Sequence, residues 1–539
     1  MDPTSISRTD SSLVGSGIPA RIVIGVTGHR KLAGITELTN GIRSAIERIQ
    51  QMAPSLAKTP IGLTVLTPLA EGADQLVAQE VFRVPGSTLE VVLPMDKDHY
   101  LEDFQTEQSK KEFEELLLRA TSVRQQPFKG NKAESYEQVG RYIVDQCDAL
   151  IALWDGKQAE GQGGTADVIG YARENRCPLF WINTEELGKV TFEPGRGLNA
   201  KAYQDLDGYN SEQVDAARFE KQLRTQRDFL VSKANTQKLP TDTLQPVIEY
   251  FSRHYVRADL LASRYQKMYY GMEATVYVLA VAAVALGATQ LIFFSGYPRI
   301  LIAEVVFMVA VLVIIWLGRR RRWHTKWLDY RFLAERFRSA MWMALSNVDV
   351  ATLRPPRHLS LAYSSNDWMV ATFYSVWSRR PTIQALEPSS NEGLKHFMSE
   401  AWIEDQIRYQ DSAGRGDHKR HQIMSQASNA LFGLTILAAI LHVSDLGTHS
   451  LERAMSFLVI ALPATAASIT AIRTHRDYLR KSMRSSEMAS HLRELKEKVA
   501  KAKDIETFLI LVTEVEETML HENEDWRVVV RFHAPELPV

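Results

Sequence analysis

The sequence predicts an α/β, Rossmann-like parallel-sheet domain at the N-terminus. An α-helical membrane region with four transmembrane helices in two hairpins is predicted to follow it. Three observations carry this expectation. Between residues 21 and 183, short apolar runs alternate with segments whose apolar residues recur at helical spacing. Beyond residue 270, four apolar stretches carry a single acidic residue among them, Glu304. Basic residues crowd the same side of every one of those stretches.

The strand candidates are "RIVIGV" (21–26), "GLTVLT" (62–67), "LEVVLP" (89–94), "ALIALW" (149–154) and "PLFWIN" (178–183). Helical patterns separate them: Leu38, Ile42, Ile46 and Ile49 in one, Leu76, Val77, Val81 and Phe82 in the next, then 101–119, 134–147 and 165–174. Apolar strands alternating with helices imply a parallel sheet covered on both faces. Ligands of such sheets bind beyond the carboxyl ends of the strands, near the switch in strand order.

Three loops are expected at those ends. In "VTGHR", Gly25 and Gly28 allow close backbone approach, Thr27 supplies a hydroxyl, His29 follows, and Arg30 can fork onto phosphate. In "PLAEGADQLVA" (68–78), Glu71, Gly72 and Asp74 fall at a strand end and helix start. In "WDGKQAEGQGGTADVIGYA" (154–172), Asp155 and Gly156 end a strand, and Gly161, Gly163, Gly164 and Thr165 lead into a helix. That is the shape of a phosphate cradle. Each loop alone is also compatible with plain turn and cap chemistry, and His29 with a core histidine. Their convergence on one sheet edge favours a nucleotide-type ligand.

The chain of 539 residues is long enough for several domains, and its net charge of -1 gives no general reason to expect a nucleic-acid partner. Its two cysteines, Cys147 and Cys177, have neither CxxC nor metal-ligand spacing, so no metal site, no disulfide framework and a reducing compartment are expected. Residues 1–19 read as a disordered arm without a signal peptide's apolar core.

The membrane candidates are 274–294, 300–318, 427–443 and 454–472, each near the ~20 residues that cross a hydrocarbon core. The competing reading is buried helices of a soluble bundle. Arg257, Arg264 and Lys267 precede the first, Arg319–Arg322 and Lys326 follow the second, Arg415, Lys419 and Arg420 precede the third, and Arg473, Arg476, Arg480 and Lys481 follow the fourth. The hairpin tips carry only Arg299 and Arg453. The positive-inside rule then places both termini in the cytoplasm. Glu304 reads as an interfacial or pore-lining carboxylate. Pro463 reads as a kink or tolerated break beside small residues that permit close helix contact.

"VTGHR", "PLAEGADQLVA" and "LIALWDG…GQGGTADVI", in this order, resemble the SLOG superfamily, Rossmann-like domains related to the LOG nucleotide hydrolases. The resemblance covers about 20–190. It implies binding of a nucleotide-derived signal, ADP-ribose-like or a cyclic nucleotide, with no cofactor. The positions it carries over are Gly25, Thr27, Gly28, His29, Arg30, Glu71, Gly72, Asp74, Asp155, Gly163, Gly164 and Thr165, with Gly156 beside them. The hydrolases' PGGxGTxxE glutamate has no counterpart in "GQGGTADVI"; Glu71 and Asp167 are the only substitutes, which favours sensing over hydrolysis. The paired hairpins resemble SLATT two-transmembrane effector modules. Together these resemblances imply a homo-oligomeric membrane effector of the bacterial inner membrane, acting in antiphage defence. The rivals are a membrane-anchored nucleotide N-glycosidase and a non-catalytic anchor that binds a protein.

The expected division is an arm (1–19), the SLOG-like domain (20–190), a helical connector (191–250), a first membrane module (251–350), a linker (351–400), a second module (401–530) and a tail (531–539).

Overall fold

The computed structural model describes residues 17–125, 131–158, 163–186, 188–348, 368–381, 383, 391–444 and 448–531, the last eleven of these by backbone alone. Most of the expected arm, the Gly161 turn, half of the expected linker and the tail beyond Arg531 lie outside them. The chain divides into two compact units, 1–213 with 354–380, and 214–353 with 381–539.

The first unit is built on seven strands: β1 (Ala20–Gly28), β2 (Ile61–Thr67), β3 (Thr88–Leu93), β4 (Ser122–Gln125), β5 (Ala149–Trp154), β6 (Leu179–Asn183) and β7 (Val190–Glu193). Their order is β4-β3-β2-β1-β5-β6-β7, parallel except for β7 on β6. The order reverses between β1 and β5, so the switch point lies beyond Gly28 and Trp154. Pleat alternation sorts the apolar residues onto two faces. Val23, Leu66, Val92, Leu150, Ala152 and Leu179 pack in one core with α5 (Lys132–Gln146) and α6 (Thr165–Glu174). Ile182 points the other way, toward Gly41 of α1 (Ile35–Gln51).

Five of the strands match the apolar runs. The other two, SVRQ and VTFE, are four-residue edges with no apolar run to announce them. The expected helix over 101–119 is instead two, α3 (Lys97–Leu101) and α4 (Glu107–Arg119), because Thr106 caps a new start by accepting from the Ser109 amide at 3.1 Å. Between β2 and β3 runs α2 (Ala73–Val81).

Two further helices complete this unit, outside the expected 20–190 boundary. In α7 (Ala200–Ser211), the Asn210 amide bonds Ile18 N and O at 3.0 and 2.9 Å and Thr59 Oγ1 at 2.8 Å. Asp207 accepts from the Ala57 and Lys58 amides. The second is α12 (Trp368–Trp377), within the stretch expected as linker. Its Ser375 hydroxyl donates to Pro19 O at 2.6 Å, Arg379 just beyond it donates to Gly86 O, and Trp368 packs 5.9 Å from the Tyr209 ring. These contacts lie at the amino ends of β1 and β3, opposite the switch point.

In the second unit, four helical stretches are long and apolar enough to cross a membrane. They lie in α9 (Thr241–Phe293), α10 (Ile300–Arg320), α14 (Glu404–Val443) and α15 (His449–Arg476). Val305, Met308, Val309, Leu312 and Val313 of α10 and Phe432, Leu434, Ile436 and Leu437 of α14 are exposed. An apolar surface of this extent needs a lipid solvent; this is a membrane protein. Within the spans, the carboxylate of Glu304 faces Gly287, whose added Cβ would stand 3.0 Å from Oε2. Helix α15 runs through Pro463 unbroken, and Ser428 of α14 bonds Ala466 O at 3.2 Å and Thr470 Oγ1 at 2.8 Å.

The two hairpins share one design. After α10 the chain turns through Arg322 at φ 53 into α11 (Trp323–Leu345), and after α15 through Asp477 at φ 47 into α16 (Tyr478–Lys501). The hairpins meet at Glu273 of α9. Its carboxylate lies 2.8 Å from Arg476 Nε and 2.8 Å from His475 Nδ1, while Arg476 also donates to Tyr270 O. Around them pack α8 (Ala216–Thr236), α13 (Asn391–Met398), a π-helical turn at Ser399–Ile403 that leads into α14, and α17 (Ile505–Arg531).

Candidate functional site

The three expected loops meet at the carboxyl edge of the sheet, and main-chain bonds stitch them together. The His29 amide donates to Leu153 O at 3.0 Å, and His29 O accepts from the Ala73 amide at 3.1 Å. One residue thereby ties the end of β1 to the end of β5 and the start of α2. The His29 side chain repeats the bridge: the Asp155 amide donates to Nε2 at 3.1 Å.

The glycines fall into two groups. A Cβ on Gly25 would come within 2.7 Å of Ile143 Cγ2 and 2.9 Å of Cys147 Sγ, so α5 packing demands this glycine. Gly28 is similarly crowded by Ala73 and Leu153. Gly72 belongs to the site: its φ is +88°, and a Cβ there would stand 2.2 Å from Arg30 O. Gly163, also at positive φ, donates its amide to Asp167 Oδ2 at 2.9 Å and abuts the first turn of α5, and Gly164 precedes Thr165 at the head of α6. Gly156 turns the chain after Asp155 at φ 86. Thr27 pairs with Ala152 inside the sheet.

Arg30 centres a polar cluster. Its guanidinium donates to Asp103 O at 3.3 Å and lies over the Tyr136 ring at 5.4 Å. The Asp103 carboxylate accepts from Tyr136 Oη and Lys132 Nζ. Burial works to raise the Asp103 carboxyl, but those two hydrogen bonds hold it below the ordinary range. Beneath lies Asp74, which accepts from the Ala70 amide at 3.2 Å. Complete burial pushes its carboxyl up to about 7, against the pull of Thr67, Ala70 and Arg30. Tyr100 is fully buried in the same cluster, and its hydroxyl has no hydrogen-bond partner among the described residues. Leu69, on the loop that leads into α2 and Asp74, is held at φ 58 while fully buried, a conformation that costs an ordinary residue about 1–3 kcal/mol.

The remaining acids have structural duties. Glu71 accepts from the Gln105 amide at 2.9 Å and from Thr106 Oγ1 at 3.2 Å, which fixes the approach to α4. Asp167 closes the Gly163 turn. Asp155 accepts from the Lys157 amide at 3.0 Å, and its Oδ1 lies 3.1 Å from His29 Nε2. Slight desolvation of its carboxyl is outweighed by Lys157 and His29, which lower it.

Sequence reasoning missed Tyr100, Asp103, Lys132 and Tyr136. All four follow from the break between α3 and α4 and the start of α5, where Asn131 accepts from the Glu134 amide. The available signals were the Thr106 and Asn131 caps. The edge as a whole presents Arg30 and Lys132, one aromatic face and a buried carboxyl–hydroxyl pair, with α2 and α6 both starting there. Among the described residues no group of His, Cys, Asp and Glu could hold a metal ion. Comparison with protein-family models and with curated proteins finds no match to this chain, so the SLOG and SLATT expectations rest on the motifs quoted above.

Proposed function

We propose that the first unit is a sensor for a nucleotide-derived anion, bound at the switch-point edge, and that the membrane helices are its effector. The observation that carries this reading is the convergence of Arg30, Lys132, Asp74 and Tyr100 beside two helix starts at the point where doubly wound sheets take ligands. In the proposed bound state phosphate oxygens replace Asp103 as the partner of Lys132 and Arg30, and the buried Tyr100 hydroxyl gains an acceptor. A base or ribose stacks toward Tyr136. Sensing is favoured over N-glycoside hydrolysis because the carboxylates of Glu71 and Asp167 are both engaged in hydrogen bonds that hold their own loops.

The effector reading rests on the covalent union of this edge with four membrane-length helices. A ligand shifts their equilibrium only through its different affinity for the two states. We assign the output to opening or disruption of the bacterial inner membrane by a homo-oligomer, with both termini cytoplasmic, in the defence role that the family resemblance implies.

The test uses the full chain in nanodiscs. ADP-ribose, cyclic AMP and AMP are each added, thermal shift is recorded, and the recovered ligand is chromatographed. A shift with intact ligand supports the sensor. A cleaved ligand converts the reading to an N-glycosidase. No shift with any member leaves the protein-binding anchor as the function.

A further inference from the structure

The chain contains two cysteines, and the fold brings them together. Cys147 closes α5 and Cys177 precedes β6; both are buried free thiols, and their Sγ atoms stand 3.5 Å apart across 30 residues of chain. The segment they bracket is β5, the Asp155–Gly156 turn, Gly163, Gly164, Thr165 and α6. We propose that Cys147 and Cys177 form a redox modification site, in which a hydroperoxide joins them as an intramolecular disulfide and staples both ends of that segment.

The surroundings support the chemistry. The Cys147 thiol hydrogen-bonds Cys177, and although burial opposes it, this bond and the Arg196 charge hold the Cys177 thiol below its usual range. Arg196 is anchored there by donating to Cys147 O at 2.7 Å and Val144 O at 3.2 Å. The cover is thin: the coil 194–197 is exposed, and an added Cβ on Gly195 would stand 2.7 Å from the Cys177 carbonyl carbon. In the proposed reaction, hydrogen peroxide reaches the thiols past this exposed coil.

The reaction balances with hydrogen peroxide as oxidant. The Cys177 thiol gives up its proton as its sulfur attacks one peroxide oxygen, the O–O bond breaks, and the departing hydroxide takes that proton and leaves as water. The Cys147 sulfur then attacks the Cys177 sulfenic sulfur. The S–S bond forms, the S–O bond breaks, and a second water leaves with the Cys147 proton. Two thiols lose two electrons in all and the peroxide gains them. The thiols need only a small approach, since their present separation already exceeds a disulfide bond by little more than an atomic radius.

The experiment takes reduced full-length protein in detergent, exposes it to hydrogen peroxide, denatures it in N-ethylmaleimide and identifies the peptides by mass. The expected product is one cross-linked pair, Cys147 to Cys177, lighter than the dithiol by two hydrogens, which dithiothreitol reduces to two thiols that fresh N-ethylmaleimide then alkylates. In C147S, dimedone is expected to trap the sulfenic acid on Cys177. Amide exchange over 148–176 is expected to slow in the oxidised protein. Recovery of both cysteines as maleimide adducts after peroxide treatment overturns the proposal, as does linkage only between separate molecules. Unchanged exchange over 148–176 overturns the stapling role.

Discussion

His29 and Asp155 meet across the reversal in strand order: Nε2 of the imidazole is 3.1 Å from the Asp155 amide nitrogen and 3.1 Å from its Oδ1. One nitrogen cannot accept from the amide and donate to the carboxylate together; with the Asp155 amide as donor, Nε2 is the acceptor and the ring hydrogen sits on Nδ1. Replacing His29 with Ala leaves the Asp155 amide without this acceptor. The expected cost is about 1 kcal/mol, read as faster amide exchange at Asp155 and Gly156 with exchange in β2 unchanged.

Asp74 makes the first unit pH-sensitive. Its carboxyl titrates at about 7 in the fold, because burial penalises the charge, and near 4 in the unfolded chain. The folded state therefore holds the extra proton between these values. Its contribution is fully present below about pH 4 and is lost as pH rises through about 7. The three-unit difference corresponds to about 4 kcal/mol. Amide protection in β1 and β2 should fall from pH 5 to pH 8 in the wild type, and D74N should flatten that dependence.

Arg30 separates ligand binding from folding in the membrane. R30A removes the bond to Asp103 O and the cation over Tyr136. On the proposed function, nucleotide-induced thermal shift should drop at least about tenfold in apparent affinity, the ordinary consequence of losing a charge-assisted contact. Insertion and detergent-extracted yield should stay at the wild-type level.

Gly72 tests the stitching of the loops. G72A must place a Cβ 2.2 Å from Arg30 O at a φ of +88°. We expect about 3 kcal/mol of destabilisation, seen as faster proteolysis within the first unit and loss of protection at Ala73 and His29.

The Glu273 contact holds the two hairpins together. R476A leaves a buried carboxylate facing His475 alone, and loss of one partner of a buried pair costs about 3–5 kcal/mol. Thermal stability of the detergent-solubilised chain should fall accordingly. E273Q/R476A should recover part of the loss, and additive losses in the double variant would deny the pairing.

The five central strands were legible because each is an uninterrupted apolar run, and β5 is buried along its whole length. Edge strands β4 and β7 were not, since half-exposed strands need no apolar run. The loop residues Gly72, Asp74 and Asp155 were legible from turn chemistry. The partners of Arg30 were not, because Asp103 and Tyr136 come from a helix break and a helix start whose proximity is tertiary. Gly25 was singled out for nearness to a ligand, yet Ile143 and Cys147 explain it. The stretch expected as linker gave no destination for α12; its place on α7 and β1 is set by Tyr209 and Pro19, nearly 160 residues or more away in the chain.

Helix α12 imposes an order on biosynthesis. The seven strands and α7 leave the ribosome first, the first hairpin next, and the helix that covers the amino ends of β1 and β3 only afterwards. At ordinary elongation rates the nascent sheet waits on the order of ten to thirty seconds for that piece. The first unit is therefore finished only after the translating chain has delivered its first hairpin to the bilayer, and a truncated message ending before residue 368 would yield an α/β unit with its Tyr209 face bare.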